Sequence, residues 1–193
     1  MTIQAGDILV FKVDKLSFST AIASGIRLVT GNKAVHVGIV LMIDGNEAIH
    51  WTDTNPFQAM KFHKTALAEL KSGYGSLRLA GVASFPEEWR TKGKFEKEFL
   101  NAARKIYVDP ASQRYSYRTI TSQMIDHGYR RFKSADTPYK VWIKPKGFIC
   151  SVLAAHILDL AVSKYCPNWT ENARLETYEP DDFTCAPFSF SEI

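Results

Sequence analysis

From Cys150 onward the chain carries a run that no surface helix tolerates: Val152, Leu153, Ala155, Ile157, Leu158, Leu160 and Ala161 are apolar on nearly every face. A surface helix needs one solvated side, so this run predicts a central helix enclosed by other elements. Cys150 stands at its N-terminal end. The remaining chain must supply the layers that enclose it.

Those layers read as a mixture of strands and helices. Gly6-Asp7 followed by Ile8-Leu9-Val10-Phe11 is a turn feeding a buried strand, rich in β-branched and aromatic residues. Phe18, Ala21, Ile22, Gly25, Ile26 and Val29 have helical spacing, with Gly31-Asn32 as the stop. Residues 35–43 then form a strand, Asp44-Gly45 a turn and Glu47-Ala48-Ile49-His50-Trp51 a returning strand, which is an antiparallel hairpin. Residues 76–82 alternate as a further strand. Pro86 with Glu87 and Glu88 marks a helix entry, and Phe95, Phe99, Ala102, Ala103 and Ile106 predict a helix over 94–107, ended before Asp109-Pro110. Residues 115–146 are polar and aromatic without a readable period, and about 118–147 is expected to be an insertion or lid without an assigned role. Thr177 to Phe183 reads as a closing turn followed by a short extended end. The expected fold class is α+β, one domain over residues 1–193, with an antiparallel sheet packed against the helix that starts at Cys150.

Composition narrows the class of function. With 46% hydrophobic and 23% charged residues, the chain is neither disordered nor fibrous in composition. The net charge of +4 is mild and scattered, so no nucleic-acid partner is expected. The densest basic run, Tyr129-Arg130-Arg131-Phe132-Lys133, has the chemistry to touch phosphate or an anionic surface, although a solvated helix face is the ordinary explanation. No basic-then-apolar leader opens the chain, and no uncharged run approaches the ~18 residues of a membrane helix. A cytoplasmic protein without a transmembrane segment is expected. Three cysteines, Cys150, Cys166 and Cys185, contain no C-x-x-C pair and fit reduced thiols. Asn168-Trp169-Thr170 is a formal glycosylation sequon without meaning in such a compartment.

Two residues sit in settings that suit catalysis. Cys150 opens a helix, where backbone N–H groups and the helix dipole favour both a thiolate and a developing oxyanion. Cys166 before Pro167 and Cys185 before Ala186-Pro187 lack that setting. His36 interrupts an otherwise apolar strand and needs a partner or cavity to offset its desolvation. Judged singly, a buried structural thiol and a satisfied core histidine remain ordinary explanations. Together they suggest a nucleophile and its base. The third group depends on the hairpin register. A two-residue Asp44-Gly45 turn pairs Ile39 with His50 and sets Asp53 opposite His36, whereas a shift of one brings His50 to the side of the sheet that His36 occupies. His50, Asp53 and Glu47 all stay open on this argument. A zinc site of Cys150, His36 and His50 is disfavoured because zinc cysteines come in spaced pairs.

The same residues carry a family resemblance. Gly6-Asp7-Ile8-Leu9, Val29-Thr30-Gly31, Val35-His36-Val37-Gly38-Ile39-Val40, Glu47-Ala48-Ile49-His50, Tyr115-Ser116-Tyr117, Phe148-Ile149-Cys150-Ser151 and the proline turn Glu179-Pro180-Asp181-Asp182 resemble the circularly permuted NlpC-type cysteine peptidases and amidases. These are papain-like in fold, with histidine before cysteine. The resemblance covers the chain from Gly6 to about Phe183 and implies Cys150 as nucleophile, His36 as base and His50 as third catalytic residue. Many permuted members carry an acid at that third place, so His50 departs from their pattern. The resemblance further implies a thiol hydrolase working through an acyl-enzyme on an amide, such as a cell-wall stem peptide, with no cofactor and no metal. Delivery to such a substrate would need lysis, a phage particle or a secretion apparatus.

Two other expectations compete. The permuted branch also resembles lecithin:retinol acyltransferase-like enzymes, which implies an acyl-ester or lipid substrate for the same dyad. Trp142, Tyr139 and Phe148 would then line an apolar groove, with core packing as their ordinary role. Alternatively the fold has lost its chemistry and serves as an adaptor, inhibitor or virion protein.

Overall fold

The computed structural model describes residues 2–13, 24–25, 27–28, 31, 33–51, 62–73, 77–87, 90, 95–107, 116–133, 148–163, 175, 178–185 and 187–193. Ten regular elements lie among them: strands β1 (Ile8–Val13), β2 (His36–Asp44), β3 (Glu47–Trp51), β4 (Phe62–Ala66), β5 (Leu77–Ser84) and β6 (Ser189–Glu192), with helices α1 (Leu67–Ser72), α2 (Phe95–Tyr107), α3 (Tyr117–Lys133) and α4 (Cys150–Val162). A 3₁₀ turn spans Pro180–Thr184. The six strands form one antiparallel sheet in the order β4-β3-β2-β1-β5-β6. This is an α+β architecture. No helix among the described residues is long and apolar enough to cross a membrane.

The hairpin forms where the sequence places it, but its register differs in detail. Its two loop residues are Gly45 and Asn46, since Asp44 pairs with Glu47. Gly45 has φ +60 while no non-glycine residue among the described ones, Asn46 included, is positive, the φ signs of a type II′ hairpin turn. An irregularity between Val40 and Met42 then shifts the pairing by one, to Val40 with His50 and Ile39 with Trp51. The bulge therefore puts His50 on the His36 side of the sheet.

Both faces of the sheet are buried. On one, Ile8, Val10, Val37, Ile39 and Trp51 meet Phe99, Ala103 and Ile106 of α2 and Leu153, Ile157, Leu158 and Ala161 of α4. On the other, Leu9, Phe11, Val40, Leu79 and Val82 are covered by Ile3 and by Leu70 of α1. The first face explains the apolar circumference of α4, whose residues Cys150–Ala155, Ile157, Leu158, Ala161 and Val162 are all buried. At the far edge, β6 lies so close to β5 that a Cβ at Gly81 would meet the Phe190 ring and the Ser191 carbonyl.

The region expected to be an insertion without assigned role contains α3, a helix of 17 residues. Its inward side is largely polar: Thr119, Ser122, Gln123 and Asp126 are buried alongside Ile120. Hydrophobic periodicity cannot reveal such a helix. Ile120 packs with Ile149 and Val152, and the Ser116 N–H donates to the Phe148 carbonyl at 2.9 Å, so α3 braces the start of α4. The expected helix near 17–30 lies mostly outside the described residues, although Ser24, Gly25, Arg27 and Leu28 are helical. Trp142 and Tyr139 lie outside them too. Phe148 packs edge-on against His156, with ring centroids 4.9 Å apart.

Candidate active site

Cys150 is the first residue of α4, preceded by an extended Ile149 (φ −105, ψ 168) that offers no side-chain cap. The first-turn N–H groups of a helix need an acceptor, and apolar Ile149 cannot be one. The Cys150 sulfur lies where the backbone N–H groups of Val37 and Ser151 favour its thiolate. The Val37 contact comes from the strand ladder. Bonding in an antiparallel pair alternates along each strand, and the Val40 N–H is turned to β1, reaching the Asp7 carbonyl at 2.9 Å. Val37 therefore turns its N–H to the β3 side, beyond the last described pair, Ile39 with Trp51. The sulfur meets β2 at its edge. Burial nevertheless outweighs these N–H groups and pushes the thiol up to about 11.

His36 is the residue immediately before Val37, so the sulfur and the imidazole belong to one corner of the molecule. Their side chains leave β2 on different sides. Val37 packs in the α4 cluster with Cys150, whereas His36 is the cross-strand partner of Phe11, with ring centroids 5.8 Å apart. The His36 ring is buried, its Nε2 has no hydrogen-bond partner, and desolvation lowers its pKa to about 4. Among the described residues no hydrogen bond joins it to the Cys150 sulfur. At neutral pH the corner holds a thiol and a neutral imidazole.

His50 is not brought to this corner. It pairs with Val40, four residues along β2 from His36 and so about 13 Å away at the rise of a strand. Its Nε2 lies 3.0 Å from Thr65 Oγ1 and its ring stacks on His63 at 5.7 Å. Burial, with the charge of His63 second, lowers its pKa to about 4. These contacts belong to the β3–β4 ladder. They correct the assignment of His50 as the group that orients His36, because no side chain spans that gap. Glu47 lies at the hairpin turn, 2.7 Å from Lys64 Nζ, farther still from His36. Asp53 and Cys166 lie outside the described residues. Cys185 is exposed and Cys150 buried.

Two sets of groups that support the corner were not legible as such. Asp181, in the 3₁₀ turn, accepts from the N–H of Lys33 (3.1 Å) and of Ala34 (2.8 Å) and so fixes the chain just before His36. On the other side, the Ser151 hydroxyl (2.7 Å) and Gln123 Nε2 (3.3 Å) both donate to the Tyr178 carbonyl, tying α4 and α3 to the same turn. The sequence signal was the acidic proline turn itself. Its partners lie 147 and 148 residues away.

The arrangement has a nucleophile candidate, a base candidate and backbone donors able to hold an oxyanion. No group of three or more His, Cys, Asp or Glu residues among the described ones is arranged to hold a metal ion. No model of a known family, no curated protein and no solved structure matches this chain.

Proposed function

We propose that the protein is a thiol hydrolase of permuted papain-like type, with Cys150 as nucleophile and His36 as base. The observation that carries this reading is the place of Cys150 as the first residue of α4, with the backbone N–H of Val37, the residue adjacent to His36, among the groups that favour its thiolate. Since thiol and imidazole are both neutral at rest, no preformed ion pair drives the attack. His36 instead takes the S–H proton as the C–S bond forms, which requires its ring to turn toward the edge of β2. The unpartnered Nε2 is the atom available to receive that proton. The tetrahedral oxyanion would be held by the N–H groups now directed at the sulfur. Collapse breaks the C–N bond as His36 returns the proton to the departing amine, and water then hydrolyses the thioester. A peptide amide, such as a cell-wall stem peptide, is the substrate class this reading favours.

A second reading is favoured by the burial of Cys150 and by the ring contact of His36 with Phe11: a fold whose chemistry is lost. Trapping separates the two. The protein would be incubated with stem-peptide fragments and, separately, with acyl esters, quenched in acid, and the Cys150 peptide weighed for an acyl adduct. The expected result is an adduct on Cys150 and a loss of turnover of about a thousandfold or more in Cys150→Ala, with a large loss in His36→Ala. An ester adduct alone would move the substrate class to lipids. With no adduct from either substrate and no turnover, the hydrolase reading fails.

A further inference from the structure

The outward side of α3 is unusual for a helix whose inward side is polar. Ile125 is 43% exposed and Phe132 91% exposed, and with Tyr129 they fall at i, i+4 and i+7, one stripe of the helix. A Cβ placed on Gly128, beside this stripe, would meet no atom within 4 Å among the described residues. The helix end is joined to a second exposed hydrophobe. The Arg131 guanidinium comes within 3.7 Å of a Cβ placed on Gly31, and Leu28, three residues before that glycine, is 80% exposed. Arg27 beside Leu28 in sequence, Arg131 and Lys133 on either side of Phe132, and Lys33 are exposed as well. Among the acids nearby, Asp126 pairs with Arg130, Glu179 with His127, and Asp181 accepts from the backbone N–H groups of Lys33 and Ala34.

Basic residues in the last turn of α3 complement the helix dipole. That accounts for Arg131 and Lys133 but not for a phenylalanine almost wholly in water between them. Exposed hydrophobes with exposed cations beside them fit one environment, the surface of a bilayer containing anionic lipid. There Phe132 and Leu28 enter the headgroup layer while the cations meet lipid phosphates. We infer that this corner of the molecule, the end of α3 with Leu28, docks the protein on an anionic membrane surface. The charges supply attraction and the two hydrophobes supply penetration, so both are required. This docking is independent of the chemistry at Cys150.

Flotation of the full chain with vesicles tests it. Vesicles of equal parts phosphatidylglycerol and phosphatidylcholine are compared with phosphatidylcholine alone, for wild type, Phe132→Ser, Arg131→Glu/Lys133→Glu and Cys150→Ala. Wild type and Cys150→Ala are expected to float only with the anionic vesicles. Release is expected as salt rises from about 0.05 M to about 0.5 M. Each removed cation should cost about fivefold in partitioning, and Phe132→Ser a comparable factor. The side chains substituted at Phe132, Arg131 and Lys133 are exposed, and the thermal transitions of those variants, read in parallel, should match wild type. Absence of flotation, equal binding to both vesicles, or anionic binding that ignores Phe132→Ser would overturn the inference. The last outcome would assign the cations to a soluble polyanion such as nucleic acid.

Discussion

The two faces of the sheet are both closed to water, yet they hold opposite kinds of titratable group. The α4 face holds the Cys150 thiol, raised to about 11 from its ordinary 9.0, and the α1 face holds His36 and His50, each lowered to about 4. Desolvation is the first cause in all three. In each case it selects the neutral form. Burial thus sets the resting protonation states, aided at His50 by the charge of His63, and the Cys150 thiol and the His36 imidazole lie on different faces of β2. Any proton transfer between them must cross from one face to the other.

The largest consequence is that the faces should fail at opposite ends of the pH scale. An unfolded histidine titrates near 6.5 and these folded ones near 4, so their stabilising contribution is complete above pH 6.5 and is lost as pH falls toward 4. Each shift corresponds to about 3 kcal/mol, so the pair amounts to about 6 kcal/mol at full titration. For the thiol the sign reverses: its contribution is complete below pH 9.0 and lost as pH rises toward 11. Urea midpoints measured at pH 4.5, 7 and 10.5 should therefore show a dome. His50→Gln, which retains an amide for Thr65, should remove about half of the acid limb and leave the alkaline limb untouched. Cys150→Ala should do the reverse. A common response of both limbs to either variant would mean that the faces do not titrate separately.

The next effect separates the faces by packing. Leu158 and Leu70 are both 0% exposed, but Leu158 lies in a helix of 13 residues at the centre of the larger cluster and Leu70 in one of 6 residues. A long helix anchored along its length relaxes little into a cavity, whereas a short one can settle. Leu158→Ala is expected to cost about 4 kcal/mol and Leu70→Ala about 2 kcal/mol, within the usual span for such truncations. Equal losses in denaturant titrations would show that α1 is as rigidly held as α4.

The contrast between α4 and α3 also explains what could be read from sequence. In α4 the apolar run from the Cys150 start and its burial agree, with Leu160, 49% exposed, as the exception, because the residues report their environment directly. The β2–β3 hairpin was legible for the same reason, through apolar runs broken at Gly45. Its bulge at Leu41 was not, since one extra residue leaves no compositional trace and still decides which face His50 joins. In α3 the environment is inverted: Gln123, Ser122 and Asp126 are inside and Phe132 outside. The partners that make this tolerable, the Tyr178 carbonyl and Arg130, are known only once the chain is folded. The strand β4 and helix α1 also went unread, because β4 exposes His63 and Lys64 on an edge strand and α1 spans fewer than two turns.

Asp181 offers the smallest effect and the sharpest test of how the two faces are joined. Its carboxylate caps the N–H groups of Lys33 and Ala34, the two residues directly before the buried Val35 and His36. A lost cap of this kind costs about 1 kcal/mol, so Asp181→Ala should remain folded with a slightly lowered urea midpoint. Its second effect is local. With the entry to β2 released, His36 and the Val37 N–H lose their shared anchor, and the sulfur loses a donor that now opposes the effect of burial. Alkylation of Cys150 should then start at higher pH than in wild type, if burial is retained, while Cys185 is unchanged. Asp181→Asn, which keeps one acceptor oxygen, should fall between the two. Were Cys150 to alkylate identically in all three proteins, the Val37 contact would be independent of the turn, and the sulfur would be held by α4 alone.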